Sequence, residues 1–108
     1  DRAFRLFEED QVLELIDIRE FTGRSEKALV RLKGRAIGEH GKTRRILEET
    51  TDAYVSIYGK TIAVIGTAEQ LTMARKAVGM LLGGAKHSTV YRFLERKRRA
   101  MKGKAVLR

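Results

Sequence analysis

The stretch Ile37-Gly38-Glu39-His40-Gly41-Lys42-Thr43 sets two glycines three residues apart, with an apolar residue before them and cations after. Glycines at that spacing let the backbone turn tightly and leave amides facing outward with no side chain in the way. The run that follows, Lys42 to Glu49, reads as a helix, so the turn sits at the positive end of a helix dipole. A phosphate backbone can press against such a turn. Nucleotides and nucleic acids are therefore the first ligand classes to consider.

Working outward, the flanking sequence gives an element order. Upstream, Val12 to Ile18 is rich in branched apolar residues and reads as a strand. Thr22-Gly23-Arg24-Ser25 supplies turn and N-cap chemistry, after which Ala28, Leu29 and Leu32 form a helical stripe that Gly34 is expected to stop. Downstream, the second helix turns Ile46 and Leu47 inward. Ala53 to Ile57 and Thr61 to Ile65 flank Tyr58-Gly59-Lys60, which predicts a hairpin. Thr67 and Gln70 form a capping-box pattern ahead of Leu71, Ala74, Ala77, Val78, Leu81 and Leu82, a third helix ended by Gly83-Gly84. Ser88 is placed to cap a last helix carrying Val90, Tyr91, Phe93, Leu94 and Met101 among basic residues. Arg2 to Asp10 reads as a short helix or the end of a linker.

A chain of 108 residues suffices for one domain burying roughly 65% of its unfolded surface. With no cysteine, disulfide scaffolds and thiolate metal sites are excluded. His40 and His87 are too far apart in sequence to suggest ligand spacing, and no metal or other cofactor is expected. No apolar stretch approaches the ~20 residues of a membrane-spanning helix, so no membrane partner is expected. The first residue is Asp1, which suggests a fragment with an upstream unit missing. The absence of asparagine and cysteine, with 34% charged residues, fits a thermophile source.

The net charge of +9 is unevenly spread. Residues 1–20 hold three cations and seven acids, whereas residues 24–45, around the glycine turn, hold eight cations and two acids. Residues 86–108 hold nine cations and one acid. Basic blocks at the turn and along the C-terminal segment point to a polyanionic partner.

Three readings of the glycine turn follow from the residues. Ala36 to Thr43 resembles a nucleoside-triphosphate loop, with alanine in place of the first glycine. That loop needs a buried strand feeding it and a strand ending in aspartate to hold magnesium, and neither is present. The glycines can also serve merely as a turn between helices. In the third reading, the cations Arg35, Lys42, Arg44 and Arg45 around an open backbone turn bind RNA.

The element order, with a G-x-x-G turn between its first two helices, resembles a type I KH domain. Within that family a narrower resemblance is carried by Lys33 to Arg45, by Tyr54-Val55-Ser56-Ile57-Tyr58-Gly59-Lys60-Thr61 and by Ser88-Thr89-Val90-Tyr91-Arg92-Phe93-Leu94-Glu95. These stretches are similar to the C-terminal KH unit of the partner-of-Nob (Dim-two) ribosome-assembly family. The sequence departs from most KH domains at Glu39, where the loop usually carries a cation, and at Arg44, where the helix usually carries an apolar residue.

The resemblance implies an α+β fold: β-α-α-β-β-α, a three-stranded antiparallel sheet covered by three helices, with a C-terminal basic helix. Residues 1–10 would be a linker or the end of a missing upstream unit, 11–85 the KH domain and 86–108 a basic helical extension. It implies binding of single-stranded RNA, most specifically precursor small-subunit rRNA near its 3′ end, beside the Nob endonuclease or other small-subunit assembly factors, without catalysis. Gly38, Glu39, His40 and Gly41 would form the clamp, and Ile37, Leu47, Val55 and Ile57 would line an apolar groove. Arg35, Lys42, Arg44 and Arg45 would meet phosphates, as would Arg96, Arg98 and Arg99 on the last helix. An archaeal source would make the protein cytoplasmic, and a eukaryotic one nucleolar. The competing function is a protein-interaction module that docks through the last helix.

Overall fold

The computed structural model describes the backbone of residues 10–107 and the side chains as far as Met101. Of the opening stretch read as helix or linker, all but Asp10 lies outside the described residues, as do the side chains of Lys102 and Lys104.

Strands β1 (Val12–Asp17), β2 (Tyr54–Tyr58) and β3 (Thr61–Gly66) form one antiparallel sheet in the order β1-β3-β2. Branched residues favour the pleat, and alternation assigns its two faces. In register, Val55 stands opposite Val64 and Ile57 opposite Ile62. Val55, Ile62 and Val64 are buried beneath the helices, while Leu13, Leu15 and Tyr58 are exposed. Tyr58 pairs with Thr61, so the hairpin closes through Gly59 and Lys60, with Gly59 at φ 57°.

Helices α1 (Arg19–Thr22, a single turn), α2 (Glu26–Ile37), α3 (Lys42–Thr51), α4 (Ala68–Leu82) and α5 (His87–Leu107) cover one face. Ser25 caps α2 by accepting the Ala28 N–H at 3.1 Å. Thr67 and Gln70 form the expected capping box on α4, and Gly83 is its C-cap. Several ends shift by one or two residues and Arg19–Thr22 adds an unexpected helical turn, while two boundary residues, Gly34 and Ser88, play other parts than the sequence reading gives them. Helix α2 runs through Gly34 and stops at Gly38, because Gly38 leaves helical space at φ 77° whereas Gly34 keeps a negative φ. Ser88 lies inside the first turn of α5 rather than capping it. The double glycine turns the chain back early, with the Ala85 N–H on the Met80 carbonyl at 2.9 Å, and Lys86 O accepts the first helical bonds, from Thr89 and Val90.

The core is a single cluster in which Ile18, Leu47, Val55, Ile62, Val78, Leu81, Val90 and Leu94 are essentially inaccessible to water. Val90, Phe93 and Leu94 belong to it, so α5 packs on α3 and α4 as a structural layer.

Candidate nucleic-acid interface

Helix α2 ends when Gly38 donates its N–H to the Gly34 carbonyl at 2.8 Å. Gly38 then adopts φ 77°, ψ 169°, a region open essentially to glycine alone. Glu39–Gly41 form one tight turn, closed by the Gly41 N–H on the Gly38 carbonyl at 3.1 Å. His40 (φ 55°, ψ 28°) and Gly41 (φ 75°, ψ 12°) are both left-handed. The glycines have different reasons to be there. A Cβ on Gly38 would lie 2.6 Å from the Thr43 backbone nitrogen and closer still to its Oγ1, whereas one on Gly41 would meet nothing nearer than Arg45 Nη1 at 3.8 Å. Gly38 is required by close approach as well as by φ; Gly41 is required by φ.

The turn delivers the chain into α3 with no side-chain cap and no acid in its first turn. The Lys42 N–H is taken by the Glu39 carbonyl and Thr43 is buried under Gly38, so this end acts on an anion chiefly as a positive pole. Lys42, exposed, and Arg45, whose Nη1 holds the His40 carbonyl at 3.0 Å, add charge beside it. Glu39 and His40 stand fully out in solvent, 3.7 Å apart. The clamp residues are thus together and accessible.

Thr43 props the turn from behind. It is buried, lies under Gly38, and its Oγ1 is 2.8 Å from the Tyr91 hydroxyl on α5. His87, one turn earlier, donates Nε2–H to the Arg35 carbonyl at 3.0 Å. Thus α5 grips the end of α2 and the start of α3, fixing the loop at both hinges. Sequence reading passed over Thr43 and Tyr91 as site residues. Their signal was slight: a threonine after the glycine-lysine pair, and one tyrosine among the apolar residues of the last helix.

Several expected site residues are otherwise engaged. Leu47 and Val55 have 0% exposure, so they support the groove from below and do not line it. Half-buried Ile37 and Ile57 remain. Arg35 donates Nε–H to the Leu81 carbonyl at 2.9 Å and Nη2–H to that of Ala85, which ties it to the end of α4. That negative helix end attracts a guanidinium more steadily than solvent does. Arg98 does the same for α3, donating to the Glu49 carbonyl at 2.7 Å. Since Tyr91 meets Thr43 and Arg98 meets Glu49, α5 runs alongside α3 in the same direction. The exposed Arg96 and Arg99 therefore sit near the far end of α3, about 9 Å from the loop by helical rise.

Arg44 occupies the position where an apolar residue was expected, and its Nη1 pairs with Glu48 Oε1 at 3.3 Å. Glu48 in turn accepts the Val55 N–H on Oε2 at 2.8 Å. Val55 thus directs its N–H out of the sheet along the β2 edge, and by alternation Ile57 directs its own N–H and carbonyl the same way. The edge at Ile57, between the loop and the hairpin turn, can hydrogen-bond a planar ring edge.

Comparison with known proteins agrees with this geometry. Residues 12–99 match the eukaryotic type KH-domain family (KH-domain type I), in the form found second in PNO1 proteins. A KH domain-containing protein of Methanocaldococcus jannaschii is 47% identical over 93% of this chain, and the match covers 44% of that protein. The pre-rRNA-processing protein PNO1 of Chaetomium thermophilum is 32% identical over 75% of this chain and 30% of its own length. The Dim2p chain in a Pyrococcus horikoshii a/eIF2alpha-aDim2p-rRNA complex superposes with a TM-score of 0.85 at 44% identity, covering 92% of this chain and 53% of that one. The chain spans about half the length of the relatives it matches, or less. Loop, sheet order and sequence agree, and the chain belongs to the type I KH family, in the branch formed by the second KH domain of PNO1 and archaeal Dim2 proteins.

Proposed function

We propose that this chain binds single-stranded RNA during ribosome assembly, without catalysis, and that its target is precursor small-subunit rRNA near the 3′ end. The observation that carries the reading is the uncapped, acid-free start of α3 beneath two positive-φ glycines, with cations beside it. The helix pole and the cations there hold phosphates, and the Ile37 and Ile57 side chains with the open β2 edge accept the bases. Relatives whose names include pre-rRNA processing and an rRNA complex support the RNA class. Assembly factors, the Nob endonuclease among them, are proposed as partners. Docking through α5 is the weaker reading, because Val90, Phe93 and Leu94 are spent on the chain's own core.

The test replaces Glu39 and His40 together by aspartate. Both side chains are almost fully exposed, so the fold survives, and added negative charge at the clamp abolishes binding of a 3′-terminal precursor rRNA fragment. Undiminished affinity in a folded double variant sinks the clamp. A nuclease footprint on the intact precursor then maps the target, and protection confined to regions away from the 3′ end rejects the specific assignment.

A further inference from the structure

Gly34 has no structural reason to be glycine. It sits inside α2 with a negative φ, where glycine destabilises a helix relative to alanine. No protein atom outside its local helix lies within 4 Å of where its Cβ would be, so no neighbour demands the missing side chain. The residue opens onto a cleft of about 470 Å³ between α2, the start of α3 and the first turns of α5, behind the G-x-x-G turn.

The cleft's chemistry fits one nucleotide. Arg31 and Lys42 line it and are exposed, and neither is bonded to another side chain among the described residues. The rings of His87 and Tyr91 form a wall, 6.1 Å between centroids and tilted by 58°. Because His87 donates Nε2–H to the Arg35 carbonyl, Nδ1 of the neutral ring is left as an acceptor. Glu39 is the acid among the lining residues. Gly38 and Glu39 belong both to the clamp and to this cleft, and Lys42 follows the clamp directly, so a strand leaving the clamp meets the cleft.

We propose that this cleft is a further subsite for the RNA strand, taking the nucleotide next to those held in the groove. Its base lies over the bare backbone at Gly34 against the His87–Tyr91 wall, and its phosphate lies between Arg31 and Lys42. This rests on the RNA-binding reading and lengthens the bound segment past the usual four nucleotides of a KH domain.

The test uses isotope-labelled chain and random-sequence RNA pools of four and eight nucleotides. The amides of Gly38 and Gly41 shift with both pools, whereas the Gly34 amide and the His87 and Tyr91 rings shift with the eight-nucleotide pool alone. Still signals from Gly34, His87 and Tyr91, with Gly38 and Gly41 moving, overturn the subsite and leave the RNA reading standing. No shift anywhere overturns both. Gly34→Gln provides the second arm. It fills the cleft, suits a helix better, and raises the thermal midpoint by about 4 °C. It weakens binding of the eight-nucleotide pool about tenfold, the loss of one stacked base, and leaves the four-nucleotide pool unchanged. Equal affinity for the longer pool in this variant also overturns the proposal.

Discussion

At residue scale the two loop glycines separate conformational need from steric need. Gly41→Ala meets only an ordinary contact with Arg45, so its cost is the left-handed backbone alone, about 1 kcal/mol. Gly38→Ala adds a collision with the backbone of Thr43 and costs about 3 kcal/mol in all. Chemical denaturation of the two variants checks the order; equal losses would show that the contact with Thr43 relaxes freely. Glu39 offers a different test, because it stands in the phosphate path of the proposed clamp. Glu39→Lys removes one repulsion and adds one attraction in solvent, raising RNA affinity roughly three- to tenfold at low salt. Titration of cognate and scrambled RNA should show the same gain for both, since phosphate contacts do not read sequence. A loss of affinity would mean that Glu39 itself touches a base or a partner.

At the scale of elements, α5 is the part whose role changes most between sequence and structure. Its basic residues mark it as an appendage, yet its apolar stripe closes the core and its polar residues brace the loop. Leu94 is completely buried, and Leu94→Ala is expected to cost about 3 kcal/mol through the cavity it leaves. Thermal or urea unfolding measures this; a loss under 1 kcal/mol would mean that α5 docks only loosely. Removing residues 86–108 would likewise uncover the α3 and α4 faces beneath Val90 and Leu94. Such a truncation tests folding before it tests RNA binding. The same helix also stabilises α3 electrostatically, because Arg98 sits on a carbonyl near its negative end.

At the scale of the whole molecule the charge of +9 divides into cations that hold the fold and cations that face solvent. Arg35 and Arg98 are tied to helix ends, and Arg44 is paired with Glu48. Arg96, Lys97 and Arg99 are exposed on α5. If RNA continues along this side, neutralising these three flattens the slope of log affinity against log salt by up to about two units. The change should be alike for every RNA sequence. An unchanged slope confines RNA to the loop end of α3. Adding Arg98→Gln should contribute little further to the slope and should instead lower stability.

The amino-acid sequence by itself determined the local decisions. Two glycines three apart between helices, the Thr67–Gln70 capping box, and branched runs around Gly59 are set by backbone conformation and short-range hydrogen bonding, which act over a few residues. That is why the element order and the exposed clamp were legible. Tertiary packing decided what depends on distant partners. Leu47 and Val55 have the same apolar character as Ile37 and Ile57, and only the stacking of α3 on β2 decides which pair is sealed in the core. Arg35 and Arg98 are indistinguishable in sequence from phosphate-binding arginines until the ends of α4 and α3 arrive beside them with unpaired carbonyls. Gly34 resembles a helix stop, and it is the helix continuing past it, with α5 closing behind, that turns it into the floor of a cleft. Short-range propensity chose the elements, and long-range burial and charge pairing chose which residues were left to meet a ligand.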